Sequence, residues 1–486
     1  MAGDARLGTI RTHIPARMDR LPWGRFHTMV VVGLGTAWIL DGLEVTMVGN
    51  VAARLTEPGS GVDISSAQIG QAAAIYVVGA CVGALFFGEL TDRHGRKKLF
   101  MITLVIYLTA TTLTALTFSP WWFFLCRFFT GFGIGGEYAA VNSAIDELIP
   151  ARHRGRVDLG INGSYWLGAA IGALLTVVFL NAALFALDLG WRLAFAAGLV
   201  LGIAVLIVRR HVPESPRWMF IHGYNDDAEE LVDGIERRVE RETGKELQPA
   251  SGSITVRQRR SLRIAEILEV AFRIYPKRSV LCLALFLGQA FLYNAVTFNL
   301  GTLLGTYFGV PSGAVPYYFA IYAVGSLAGP LLLGPLFDSV GRKPMVAGTY
   351  FAASALLVVT ALLMQGGVLG SWPFLVMLVA TFFFASSGSS AAYLTVSEIF
   401  PMETRALAIA VFYAIGTAAG GIAGPLLFGA FIDSGNLGLV ALGFYIGAGA
   451  MAIGGLAEVV FGIEAAGRSL EDIAQPLTAH DARASS

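Results

Sequence analysis

About twelve apolar stretches, each long enough to cross a bilayer, alternate in this chain with loops of which every second one is basic. A helix needs about 20 apolar residues to span the hydrocarbon core. Six such stretches lie near 28–50, 68–90, 98–118, 121–145, 158–180 and 190–208. Six more lie near 279–306, 316–337, 344–364, 372–396, 406–432 and 438–462. Only 14% of residues are charged, against about 25% in a soluble domain. That leaves too little polar surface to cover a water-soluble body of this size. The 58 glycines fit the same picture, because small residues let membrane helices approach closely.

The loop charges set an orientation. The first residues carry Arg6, Arg11, Arg17, Arg20 and Arg25; the second loop holds Arg93, Arg96, Lys97 and Lys98. Arg152, Arg154 and Arg156 follow in the fourth loop, Arg209, Arg210, Arg217, Arg237, Arg238, Arg257, Arg259 and Arg260 are among those of the sixth, Arg342 and Lys343 lie in the eighth, and Arg405 in the tenth. The odd loops hold almost no Lys or Arg. Basic loops stay on the cytoplasmic side, so both termini are expected there. The expected divisions are a cytoplasmic segment 1–27, a six-helix bundle 28–208, a cytoplasmic linker 209–278 with short helices near 225–248, a second bundle 279–462, and a tail 463–486. No short apolar core with an early cleavage site follows the Arg-rich start, so no signal peptide is expected.

The two halves repeat each other. Gly88, Asp92, Arg93, Gly95 and Arg96 after the second stretch are echoed by Gly334, Asp338, Gly341 and Arg342 after the eighth. Glu147, Pro150 and Arg154 after the fourth are echoed by Glu398, Pro401 and Arg405 after the tenth. The offset is about 250 residues throughout, which marks two parallel six-helix repeats with a binding site between them at mid-membrane. Carboxylates and guanidiniums at helix ends can form charge-assisted pairs that are made in one state and broken in another. Gly88, Asp92, Arg93, Gly95, Arg96, Glu147, Arg154, Asp338, Gly341, Arg342, Glu398 and Arg405 are therefore the candidate gating set.

On these motifs the chain resembles the major facilitator superfamily, an all-α membrane fold of twelve helices. Pro213-Glu214-Ser215-Pro216-Arg217-Trp218 and the tail Glu464-Ala465-Ala466-Gly467-Arg468 resemble the branch of sugar porters and bacterial metabolite:proton symporters. The likeness covers nearly the whole chain. It implies that the motifs clasp the two halves together in the outward-facing state. It also implies that an acid in the first helix carries a proton and communicates with an arginine in the fourth.

Ionisable groups inside a span are expensive and usually functional. The candidates for proton coupling are Asp41, Glu44, Arg127 and Glu137. The resemblance places the proton carrier at Asp41 and its partner at Arg127. Gln289 and Asn294 match part of the branch's sugar-binding pattern, but Gly288, Phe291 and Leu292 replace hydrogen-bonding or small residues of it. The branch's glutamine on the fifth helix is Ala169 here, and Ser390-Ala391-Ala392-Tyr393 stands where a proline motif is expected. A hexose needs many partners, since each buried hydroxyl left unpaired is costly. The candidate substrate residues are Gln289, Asn294, Tyr293, Tyr393, Trp166, Tyr165 and Trp38, with Tyr138 and Phe298 as further aromatics. They favour an aromatic or other organic acid, with Arg127 as its counter-charge.

The expected function is proton-coupled symport of a small organic metabolite by alternating access. The partners are that metabolite, protons and the lipid bilayer, and a functional monomer is expected in the inner membrane. A sugar:proton symporter, a proton-driven exporter and a non-transporting nutrient sensor are the alternatives. The zero net charge gives no argument for a nucleic-acid partner. Cys81, Cys126 and Cys282 have no metal-ligand spacing, and neither a Ser/His/Asp arrangement nor a phosphate loop is present. Enzyme activity, metal and cofactor are not expected.

Overall fold

The computed structural model describes residues 8–56, 59–62, 64, 66–209, 213–250, 252–258, 264–401 and 404–474. Twelve long helices carry the chain within that range. The first repeat comprises α1 (Arg25–Thr56), α2 (Ser66–His94), α3 (Arg96–Thr114), α4 (Pro120–Leu148), α5 (Arg154–Phe179) and α6 (Gly190–Arg209). The second comprises α7 (Pro276–Phe308), α8 (Val315–Ser339), α9 (Arg342–Gln365), α10 (Ser371–Ile399), α11 (Arg405–Asp433) and α12 (Leu437–Phe461). Eleven of these helices are long and apolar enough to cross a membrane. The twelfth, α4, is 29 residues long but holds Arg127, Glu137 and a run of glycines, which dilute its apolar character. Most helices overrun the apolar stretches by about a turn, since helix continues into the polar interface.

The outer surface exposes Phe118, Trp121, Val200, Leu332 and Ile453. An apolar exterior of this kind is what a hydrocarbon environment requires. Between the repeats, α5 lies against α8, α2 against α11 and α1 against α7. Small residues set these distances. A Cβ on Gly88 would lie 2.7 Å from that of Ala410, so α2 and α11 come together only without a side chain there.

The bundle has one basic face, where α2 turns into α3 and α8 into α9. Gly95 and Gly341 make these turns with φ of 88° and 121°, which side chains rarely adopt. Each turn is capped by a remote carboxylate. Glu214 accepts from the backbone N–H of Arg96 (3.0 Å) and of Lys97 (3.1 Å). Glu464 accepts from Arg342 (2.8 Å) and Lys343 (3.3 Å) in the same way. A negative group at a helix N-terminus satisfies orphan donors and meets the positive end of the dipole.

The linker forms short helices at Pro216–Ile221, Asn225–Thr243 and Ile264–Glu269. The middle one buries Ala228, Val232, Ile235 and Val239 along one stripe. The opening segment is more ordered than its polar composition suggests. β1 (Thr9–Thr12) pairs antiparallel with β2 (Ile254–Arg257), Thr9 facing Arg257 and Thr12 facing Ile254. This two-stranded ribbon is an addition to the all-α expectation. A short helix, Ile14–Asp19, follows and buries Ile14 and Met18. Arg17 reaches Glu229, Asp233 and Glu236, each at 2.5 Å, and Arg20 reaches Glu236 at 2.5 Å. Burial pushes the Glu236 carboxyl up, but the bonds and charges of Arg17 and Arg20 outweigh it and hold the group below the usual carboxylate range.

Loop charge predicts that the basic face is cytoplasmic. On a cysteine-free background, Ala183→Cys should react with an impermeant maleimide applied to intact cells, and Arg241→Cys should react only after the membrane is opened. Both positions are exposed and lie at opposite ends of the bundle. Equal labelling of the two from outside would contradict the orientation.

Candidate functional site

Two structures dominate the interior: an ion-pair network at the basic face and a cavity at mid-bundle. The network is built twice, once per repeat. In the second repeat Arg342 binds Glu398 through two bonds of 2.9 and 3.0 Å, and the same guanidinium bonds Asp338 (2.9 Å) and the Phe337 carbonyl (2.6 Å). Bidentate pairs of this kind are the strong ones. In the first repeat Arg96 pairs with Glu147, which also accepts from the Ser215 hydroxyl.

Contacts of this network also cross between the repeats. Asp338 at the end of α8 accepts from the backbone N–H groups of Gly155 (3.0 Å) and Arg156 (2.8 Å) at the start of α5. Arg154 lies 3.8 Å from Glu398, and Arg405 lies 3.6 Å from Glu147. The basic face is thus closed. Of the proposed gating residues, Arg96, Glu147, Arg154, Arg342, Glu398 and Arg405 are buried in the network. Arg93 is exposed instead, and the side chain of Asp92 lies outside the described residues.

The cavity lies between the repeats and measures about 100 Å³. All seven residues proposed from sequence for the substrate line it: Trp38, Tyr165, Trp166, Gln289, Tyr293, Asn294 and Tyr393. Trp38 stacks on Tyr138 at 4.7 Å and 4°, and Tyr393 meets both rings edge-on at 6.1 Å. The Tyr293 and Tyr165 hydroxyls bond to each other across the repeats. Gln289 accepts from Ser389 at 2.7 Å, which fixes its amide. Tyr138 is also in the wall, whereas Phe298 packs outside it.

Tyr76, Tyr413, Asn162, Ser386, Ser389 and Thr417 also line it and were not anticipated. A lone tyrosine or asparagine in an apolar span gives no local signal. The internal repeat does give one: the offset that relates Glu147 to Glu398 also relates Asn162 to Tyr413. No Asp, Glu, Lys or Arg is among the described residues of the wall.

The buried ions sit behind the first repeat's wall. Arg127 donates to Thr114 (2.8 Å) and Thr130 (3.2 Å), with its guanidinium 5.2 Å from the centre of the Phe195 ring on α6. It is not among the residues that line the cavity. Its side chain is drawn sideways by α3 and α6. Glu44, whose charge acts on Arg127 without a hydrogen bond between them, presses on α6 so closely that a Cβ on Gly198 would meet it. Asp41 is buried as well, and its charge acts on Tyr76, Tyr138 and Tyr165. The two acids of α1 therefore divide, Asp41 toward the cavity phenols and Glu44 toward Arg127. Glu137 is buried in α4 away from the wall, and Asp158 is a further buried acid, one turn from Asn162 on α5.

A twelve-helix bundle with a mid-membrane cavity between two repeats, closed at one face by paired ions, is a membrane transporter. This chain belongs to the family described as "Sugar (and other) transporter", whose model matches residues 33–477, and its fold is that of the major facilitator superfamily. It is 28% identical to a niacin transporter of Acinetobacter baylyi, over 85% of this chain and 89% of the relative. It is also 28% identical to the putative metabolite transport protein YdjK of Escherichia coli, over 95% of this chain and 97% of the relative. In fold it matches the proton:xylose symporter XylE, with a TM-score of 0.75, 19% identity and coverage of 92% of this chain and 98% of that one. The chain is a transporter and not an enzyme.

If the network sets the balance between states, Arg342→Ala should lower turnover about tenfold or more, the size of a typical coupling. Substrate affinity should change far less, because Arg342 does not touch the cavity. Comparing initial uptake rates with binding by calorimetry checks this. A loss of affinity at unchanged turnover would contradict a gating role.

Proposed function

We propose that the protein is a proton-coupled symporter that moves a small ring-bearing organic acid across the inner membrane by alternating access. The observation that carries the reading is the cavity itself. It is small, closed at the basic face, and walled by aromatic rings with neutral polar groups between them. The parallel Trp38–Tyr138 pair and the edge of Tyr393 offer faces for a planar ring. Asn162, Gln289 and Asn294 offer amide groups for its polar end. The relative named for niacin, a pyridine carboxylic acid, supports the same class.

Coupling follows from charge. A substrate carboxylate near Asp41 would place two negative charges in a water-poor chamber, and uptake of one proton removes the repulsion. Glu44 and Arg127 are further buried ions, and Glu44 is a second acid on which a proton could be held. In this reading 28–208 and 279–462 rock as bundles about the cavity. The segments 1–27, 209–278 and 463–486 lie in the cytoplasm, and a single copy suffices. The gate is the set around Arg96, Glu147, Arg342 and Glu398. A sugar substrate is the second reading, favoured by the amides together with Ser386 and Ser389 in the wall.

Reconstituted protein with labelled nicotinate and xylose separates the readings. Nicotinate should accumulate only under an imposed inward proton gradient. Accumulation of xylose without nicotinate would move the reading to sugar.

Asp41→Asn should abolish that accumulation while shifting Kd by less than about tenfold, under about 1.4 kcal/mol. Exchange of labelled for unlabelled substrate should survive. Glu44→Gln and Glu137→Gln are run beside it, so that the true carrier is identified by which one loses coupling. Uphill accumulation by Asp41→Asn protein would remove Asp41 from that role.

A further inference from the structure

The carboxylate of Asp19 enters the gate from outside the twelve-helix bundle. It closes the short helix Ile14–Asp19, and its two oxygens lie 3.6 Å from Arg154 and 3.5 Å from Arg217. Both arginines are buried, and Arg154 also lies 3.8 Å from Glu398 of the other repeat. One guanidinium is therefore shared between a carboxylate on its own side and one across the interface.

The segment that delivers Asp19 is fastened at three levels. β1 is zipped to β2 of the linker, Arg17 is gripped by Glu229, Asp233 and Glu236, and Arg152 donates to the Leu21 carbonyl at 3.1 Å. Ile14, Met18 and Leu21 are buried beside the linker helix. The position of Asp19 is thus fixed by packing and not by its attraction to Arg154 alone.

We propose that Asp19 is a gating residue: the carboxylate to which Arg154 transfers when Glu398 withdraws as the basic face opens. This rests on the alternating-access reading above. A buried guanidinium that loses a counter-charge resists the motion that removes it. Asp19, fixed on the same side as Arg154, stays beside it in both states, and opening is easier. Arg217 competes for Asp19 and tempers the effect.

The test uses full-length protein in nanodiscs, spin-labelled at His94 and Ser339, both exposed at the basic face on opposite repeats. Wild-type protein should show a short and a long distance, closed and open. Asp19→Asn should shift the ratio about five- to tenfold toward the short one, the size of a typical coupling. Asp19→Glu should restore the wild-type ratio. Arg217→Gln frees Asp19 for Arg154, so it should shift the ratio toward the long distance, and this readout stands if Asp19→Asn does not fold. A merely structural Asp19 would lower Tm in either variant without moving the ratio in opposite directions. An unchanged ratio, or one moving toward the long distance in Asp19→Asn, overturns the role of Asp19. A single immovable distance in wild-type protein would contradict alternating access as well.

Discussion

The contact on which the rest of the structure depends is the one Asp338 makes with the start of α5. Its carboxylate takes the N–H groups of Gly155 and Arg156 while Arg342 holds it in place from behind. The bidentate Arg342–Glu398 pair fixes that arginine in turn. A helix N-terminus from one repeat is thereby bound to a carboxylate from the other, and the basic face closes. Removing one partner of a buried pair costs about 3–5 kcal/mol. Several such bonds could not be broken at once unless opening delivered the freed charges to water or to new partners. The network suits a gate because it lies at the bundle's end, where opening admits water.

The cavity and the gate are joined through shared helices. Helix α5 carries Arg154 at the gate, then Asp158, then Asn162 in the cavity wall, each one turn further along. Helix α10 carries Tyr393 in the wall and Glu398 at the gate. A shift of either helix that accommodates a substrate also moves a gate residue. Next to α5, α1 carries Trp38 in the wall and Asp41 and Glu44 behind it. The cavity wall, the buried acids and the ion-pair network are thus mounted on a few shared helices.

Much of this was legible in the chain, for reasons that differ between parts. The spans are readable because length and apolarity alone decide them, and the repeat made the ion-pair network readable by relating Glu147 to Glu398 and Arg96 to Arg342. Helix α4 was readable by length, although Arg127 and Glu137 dilute it. The ordered opening segment was not readable. Its strand pairs Thr9 with Arg257, and no local pattern announces so distant a partner. The direction of Arg127 was hidden too, because it depends on Thr114 of α3 and Phe195 of α6 and not on α4. Tyr76 and Tyr413 escaped notice as single aromatics in apolar runs.

Alternating access requires one cavity reached from each side in turn, and Ser389, in its wall and bonded to Gln289, is placed to report this. With Ser389→Cys as the only cysteine, an impermeant thiol reagent should label the protein in right-side-out vesicles and, separately, in inside-out vesicles. Bound substrate should protect it in both. A cysteine that reacts from one side only, whatever the substrate or proton gradient, would contradict the account.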